Sequence, residues 1–137
     1  MHVSSSGLVL TATDLGAFSE CSHRTLLDLG VALGRHARPG ENEVERRMLE
    51  LRGRAHEARV LEHYRATRGS VVVVTERPTA SVDERERAAR TTERAMQDGA
   101  DVIYQGVLFD GAWLGRPDFL VKVPYATRFG RQHVHPS

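Results

Sequence analysis

The 137-residue chain holds one cysteine, Cys21, one lysine, Lys122, and no Asp or Glu beyond Asp118. A lone cysteine excludes an internal disulfide, a zinc site built on several thiolates and an iron–sulfur cluster held by this chain alone. It also fits a reducing compartment. No apolar run approaches the roughly 20 residues that cross a bilayer. The opening stretch MHVSSSGLVLTATDLG lacks the basic start and long apolar core of a secretory signal. The expectation is a cytoplasmic protein with no membrane partner. Charge of one sign is missing too: 19 Lys+Arg against 18 Asp+Glu leave a net charge of +1. Binding to nucleic acid therefore needs a local basic surface rather than bulk charge. G-x-S-x-G, Walker, G-x-G-x-x-G and C-x-x-C patterns are all absent, which removes the enzyme classes built on them.

The length suits one hydrophobic core. Thr11 or Thr13 is placed to cap a brief first helix, because a hydroxyl there accepts from free backbone N–H groups. SHRTLLDLGVAL, residues 22–33, has leucines at helical spacing and ends at Gly34. The longest segment, ENEVERRMLELRGRAHEARVLEHYRATRG, sets Val44, Met48, Leu51, Ala55, Ala58 and either Leu61 or Glu62 on one 3.6-residue stripe and closes at Gly69. SVVVVTERP is β-branched and stopped by Pro78, right for a buried strand. Residues 82–98 read as a charged surface helix with a thin stripe of Val82, Ala89 and Met96. DVIYQGVLF, Asp110-Gly111 and AWLGRPDFLVKV form a hairpin pattern around an Asp-Gly turn. Beyond Val123, PYATRFGRQHVHPS has no period, and residues 124–137 are expected to be irregular or disordered.

Two places carry candidate chemistry. Asp118 interrupts an apolar run directly after Arg116-Pro117, and strand alternation pairs it with Leu120 and Lys122 while Phe119 and Val121 take the opposite, core face. Either it is a solvated acid at a strand entrance held by Arg116, or it is a metal-binding carboxylate. On the long helix, Gly53 and His56 are three residues apart and share a face. A mid-helix Gly costs roughly 1 kcal/mol relative to Ala, and close approach of a strand or a metal site would offset that cost. A surface histidine on an arginine-rich helix is the other reading. His133 and His135 form an H-x-H pair in the tail.

Taken in order, LTATDLGAFSECSHRTLLDL, RGRAHEARVLEHY and GADVIYQGVLFDGAWLGRPDFLVKV resemble the N-terminal part of a RecB-like nuclease of the PD-(D/E)xK superfamily, over most of residues 8–123. The resemblance implies an α/β fold: a restriction-endonuclease-like core, incomplete at its C-terminus, with an N-terminal helical segment. Residues 1–123 would be the partial nuclease domain. It further implies that His56 and Asp118 serve as metal and catalytic residues for Mg²⁺ or Mn²⁺, with Glu57 as a secondary candidate. Hard divalent ions of that kind favour oxygen ligands. Arg116 would contact nucleic acid, DNA would be the partner, and a helicase or fused domain would accompany full-length relatives. Cys21, in CSHR, is similar to the early cysteine of an iron–sulfur cluster whose other ligands this chain lacks. The (D/E)-x-K motif belongs downstream of Asp118, where no acid occurs. Truncation or a frameshift near residue 124 would explain that absence, and the implied function is a truncated nuclease, poorly active or inactive alone. The alternative is a non-catalytic module that binds nucleic acid or another protein.

Overall fold

The computed structural model describes residues 1–4, 7–37, 40, 42–74, 81–124 and 133–136. Strands β1 (His2–Ser4) and β2 (Gly7–Thr11) lead into helices α1 (Ala12–Glu20) and α2 (Ser22–Ala32). The 25-residue helix α3 (Glu43–Thr67) follows, then strand β3 (Val71–Val73) and helix α4 (Val82–Gln97). Strands β4 (Val102–Tyr104), β5 (Leu108–Phe109), β6 (Trp113–Gly115), β7 (Phe119–Val123) and β8 (His133–Pro136) complete the described chain. The fold is mixed α/β, with one sheet ordered β1-β2-β6-β5 and a second ordered β3-β4-β7-β8. Each sheet mixes directions: β2 runs parallel to β6 and β3 parallel to β4, while the remaining neighbours are antiparallel.

Local chemistry accounts for the first helix. Thr11 is its N-cap: the hydroxyl accepts from the Asp14 amide at 3.4 Å, and the Asp14 carboxylate accepts from the Thr11 amide at 2.7 Å. This reciprocal box satisfies two donors that a helix start leaves free. The Met1 ammonium adds a 2.6 Å ion pair to the same carboxylate. Burial pushes the Asp14 carboxyl upward, but the ammonium and Thr11 hydrogen bonds outweigh it and hold the group below the usual range.

The expected hairpin is present but divided. Its inner parts, β5 and β6, pair across Asp110-Gly111 in the first sheet, where Gly111 takes φ +100°. Asp110 closes the turn by accepting from the Ala112 and Trp113 amides. Its outer parts, β4 and β7, pair in the second sheet with Ile103 opposite Leu120 and Tyr104 opposite Phe119. The arms break at Gln105, which is left-handed at φ +57°, and at Pro117, which has no N–H to give a ladder. Gly106 follows the first break because space there is short: a Cβ would lie 2.9 Å from Leu120 Cδ1 and 3.4 Å from Thr92 Cγ2.

Three expectations from the sequence are corrected. The helix read as a surface element, α4, is the core helix, because its inner face is centred on Arg85, Ala88, Thr92 and Ala95, with Ala89 and Met96 half-buried against the core beside them. Small side chains let it pack closely, with Ala88 and Thr92 fully buried beside Val9, Ile103, Val107, Leu114 and Leu120. The Thr92 hydroxyl donates to Ala88 O at 3.0 Å and accepts from the Val107 amide at 2.9 Å, so this buried polar group is satisfied. Next, Leu120 does not lie opposite the core: it belongs to the cluster under α4, while Phe119, also buried, packs on Tyr104 and on Tyr64 of α3 at ring distances of 5.0 and 5.3 Å. The second sheet is thus covered on both faces. Last, residues 133–136 are not irregular but form β8 along β7, with Val121 opposite His135 and Val123 opposite His133. The rest of the stretch expected to be irregular, apart from Pro124, lies outside the described residues.

The apolar stripe of α3 is on the unexpected side. Val44, Met48 and Leu51 are 74, 50 and 56 % exposed, and no α3 residue is fully buried. The half-buried positions are Glu57, Val60, Leu61 and Tyr64, spaced i, i+3, i+4 and i+7. The helix therefore meets the second sheet through its C-terminal half.

Candidate functional site

The break between β4 and β5 and the break between β6 and β7 lie side by side, because the Gln105 amide donates to Asp118 O at 2.8 Å. Gln105 and Asp118 consequently face each other at the end of the β4–β7 ladder. Gln105 Nε2 donates to Glu57 Oε2 at 2.8 Å and to Asp118 Oδ1 at 3.4 Å. The Tyr104 hydroxyl donates to the same Glu57 oxygen at 3.0 Å. Two carboxylates contributed by α3 and the start of β7 are therefore held around one side-chain amide.

The electrostatics agree with that proximity. Loss of surrounding water, followed by the Glu57 charge, pushes the Asp118 carboxyl above the usual carboxylate range. The Gln105 hydrogen bond and the Arg116 guanidinium only partly oppose this. Tyr104 is raised by burial and then by its hydrogen bond to the Glu57 carboxylate, so its hydroxyl stays a donor. Like-charged acids at close range favour the form with a shared positive charge or a proton between them. An amide N–H₂ fills that place here.

Of the residues singled out from the sequence, Asp118 is in this cluster and Arg116 is close enough to act on its charge. His56 is exposed, and no hydrogen bond or ion pair links it to Asp118. Adjacent helix positions are about 100° apart, so turning Glu57 toward the sheet turns His56 away. The secondary candidate, Glu57, takes the place given to His56. Lys122 lies four residues along β7, about 13 Å of strand away, and its Nζ donates to Gly99 O at 3.3 Å. Cys21 is an exposed free thiol at the joint of α1 and α2. The residues missed from the sequence are Gln105 and Tyr104. Their signal was a polar residue followed by Gly106 inside a strand-like run, the mark of a bend rather than a continuous arm.

Chemically, Glu57 and Asp118 supply hard oxygen donors of the kind Mg²⁺ and Mn²⁺ take. Among the described residues no group of three or more His, Cys, Asp or Glu side chains converges as a metal site. Compared with known proteins, the chain matches no family model, no curated protein and no solved structure. Among the described residues, no helix is long and apolar enough to cross a membrane.

Proposed function

We propose that the chain is a restriction-endonuclease-like domain derived from a metal-dependent DNA nuclease, with little or no cleavage of its own. The observation that carries this reading is the meeting of Glu57 and Asp118, from a helix and a strand entrance far apart in sequence, around the Gln105 amide. Carboxylates are seldom brought together unless something cationic is to be shared. A Mg²⁺ or Mn²⁺ ion held by these oxygens would supply Lewis acidity toward a phosphodiester and an activated water.

The protein side chains have distinct parts in this proposal. Asp118 and Glu57 would hold the ion in place of the Gln105 amide that bridges them, and the Tyr104 hydroxyl anchors one oxygen of Glu57. Arg116, exposed next to Asp118, meets a phosphate bidentately in a way Lys does not. His56 has no part in ion binding, although the resemblance assigned it one. Little cleavage is expected of this stretch because residues 119–137 hold no Asp or Glu and Lys122 is held at the other end of its strand.

A non-catalytic module is the second reading, favoured by the shortage of a third metal-ligating side chain among the described residues. Mn²⁺ titration followed by electron paramagnetic resonance separates the two. The nuclease reading expects the wild type to bind Mn²⁺ and Asp118→Ala to lose at least about tenfold in affinity, the size of effect seen on losing one metal-site partner. Equal affinity in both proteins would remove the metal site and leave the module.

A further inference from the structure

Helix α3 carries two apolar stripes, and one of them is turned away from the body of the protein. At about 100° per residue, Val44, Met48, Leu51, Ala55 and Ala58 fall within a narrow stripe and are all exposed. The residues that approach the sheet, Glu57, Val60 and Tyr64, lie on the opposite side of the helix. The 4-3-4-3 spacing of the stripe is that of a seam between two helices, and it runs for roughly 21 Å at 1.5 Å per residue. Nothing in the chain's own described core needs this face outward, and an exposed apolar stripe of this length is a docking feature rather than scattered surface hydrophobicity.

Charge decides what fits. Arg47 and Arg54 line one edge of the stripe, and Arg52 and Arg59 line the other. Among the described residues none of these four takes part in an ion pair. Arg46, away from the stripe, is by contrast bridged to Glu43 and Glu50. We propose that the outward face of α3 is the docking site for an amphipathic helix of a partner protein, with leucine-like residues on its seam and acidic residues along its edges. A second copy of this chain is a poorer occupant, since it would set arginine rows against arginine rows. Duplex DNA would satisfy the arginines but would lay Val44, Met48 and Leu51 against phosphates.

The probe is a fluorescein-labelled peptide of about three heptads, with Leu at the seam positions and Glu at the flanking ones. Its Leu/Lys counterpart and a labelled DNA duplex serve as alternatives, all read by fluorescence anisotropy against the full chain. The proposal expects the Leu/Glu peptide to bind at least tenfold tighter than the Leu/Lys peptide, and more weakly as salt rises. Leu51→Gln should weaken binding about tenfold with an unchanged circular dichroism spectrum. The double change Arg47→Glu with Arg54→Glu, which leaves the other edge basic, should erase most of the peptide preference. Equal binding of both peptides would overturn the proposal. So would tighter binding of the duplex that Leu51→Gln leaves intact, or self-association in sedimentation velocity that Leu51→Gln abolishes. Because the stripe lies opposite the Glu57–Asp118 cluster on the helix, failure here leaves the Mn²⁺ result untouched.

Discussion

Helices α3 and α4 are both rich in arginine and glutamate, yet they use their apolar residues in opposite ways. In α4 the inner face is built from Ala88, Thr92 and Ala95, with Arg85 at its start, and these are buried. In α3 the larger apolar residues Val44, Met48 and Leu51 are exposed, and contact with the sheet is made by Glu57 and Tyr64, with Val60 half-buried between them. Side-chain size thus misleads about burial. What α4 needs is close approach to β4 and β5, which alanine and threonine permit and leucine would prevent. What α3 needs over its C-terminal half is an aromatic contact and a placed carboxylate.

The sharpest test of that contrast places the same substitution in both helices. Ala88→Asp would bury an unpaired charge in the centre of the core and should cost about 4 kcal/mol or leave the chain unfolded. Leu51→Asp, although it removes a far larger apolar side chain, should change stability by no more than about 0.5 kcal/mol, as exposed substitutions do. Urea unfolding followed by circular dichroism measures both. Comparable losses would mean that the outer face of α3 is buried in solution.

A smaller effect probes how α4 tolerates a polar residue in its buried face. Thr92→Val keeps the shape but leaves the Val107 amide without its acceptor, which should cost about 1 to 3 kcal/mol. Thr92→Ser retains the hydroxyl and should recover most of the hydrogen-bond loss, leaving the cost of one methyl group. If Val and Ser at this position are equally destabilising, packing and not the hydrogen bond secures the helix.

Much of the fold could be read from residue pattern. The extents of α2 and α3, the strand at β3, the Asp-Gly turn and the threonine cap all depend on neighbouring residues, and local rules reach them. The facing of α3 was beyond such rules. It carries two stripes, one of Val44, Met48 and Leu51 and one of Val60, Leu61 and Tyr64, and periodicity says that each exists without saying which meets the core. The candidate site turned on a single position: at about 100° per residue, Glu57 lies on the line of Val60 and Tyr64, whereas His56 lies between that stripe and the outer one. Asp118 itself was legible because an acid in an apolar run is conspicuous. Gln105 was not, since a left-handed glutamine between two strands leaves no periodic trace and its role depends on a contact with a residue 48 positions away.

The smallest expected effect returns to the end of α3 that faces the sheet, where charge rather than apolar surface is brought inward. Asp118 is held above the usual carboxylate range by desolvation first and the Glu57 charge second, so its ionised form is disfavoured in the folded protein. Between the unfolded value, near 3.9, and the raised native value, the native state binds more protons than the unfolded state. Stability therefore falls as pH rises through that window and stays lowered above it. Asp118→Asn removes the charge while keeping an oxygen for Gln105 Nε2, and should raise Tm at pH 7 by on the order of 1 °C. That advantage should shrink as pH falls through the window, because the wild-type carboxyl is then protonated too. A Tm gain that persists unchanged down to pH about 3 would show that Asn packs better than Asp rather than relieving charge. A loss at pH 7 would mean that the ionised carboxylate is favoured in the fold, with the Arg116 guanidinium outweighing desolvation and the Glu57 charge.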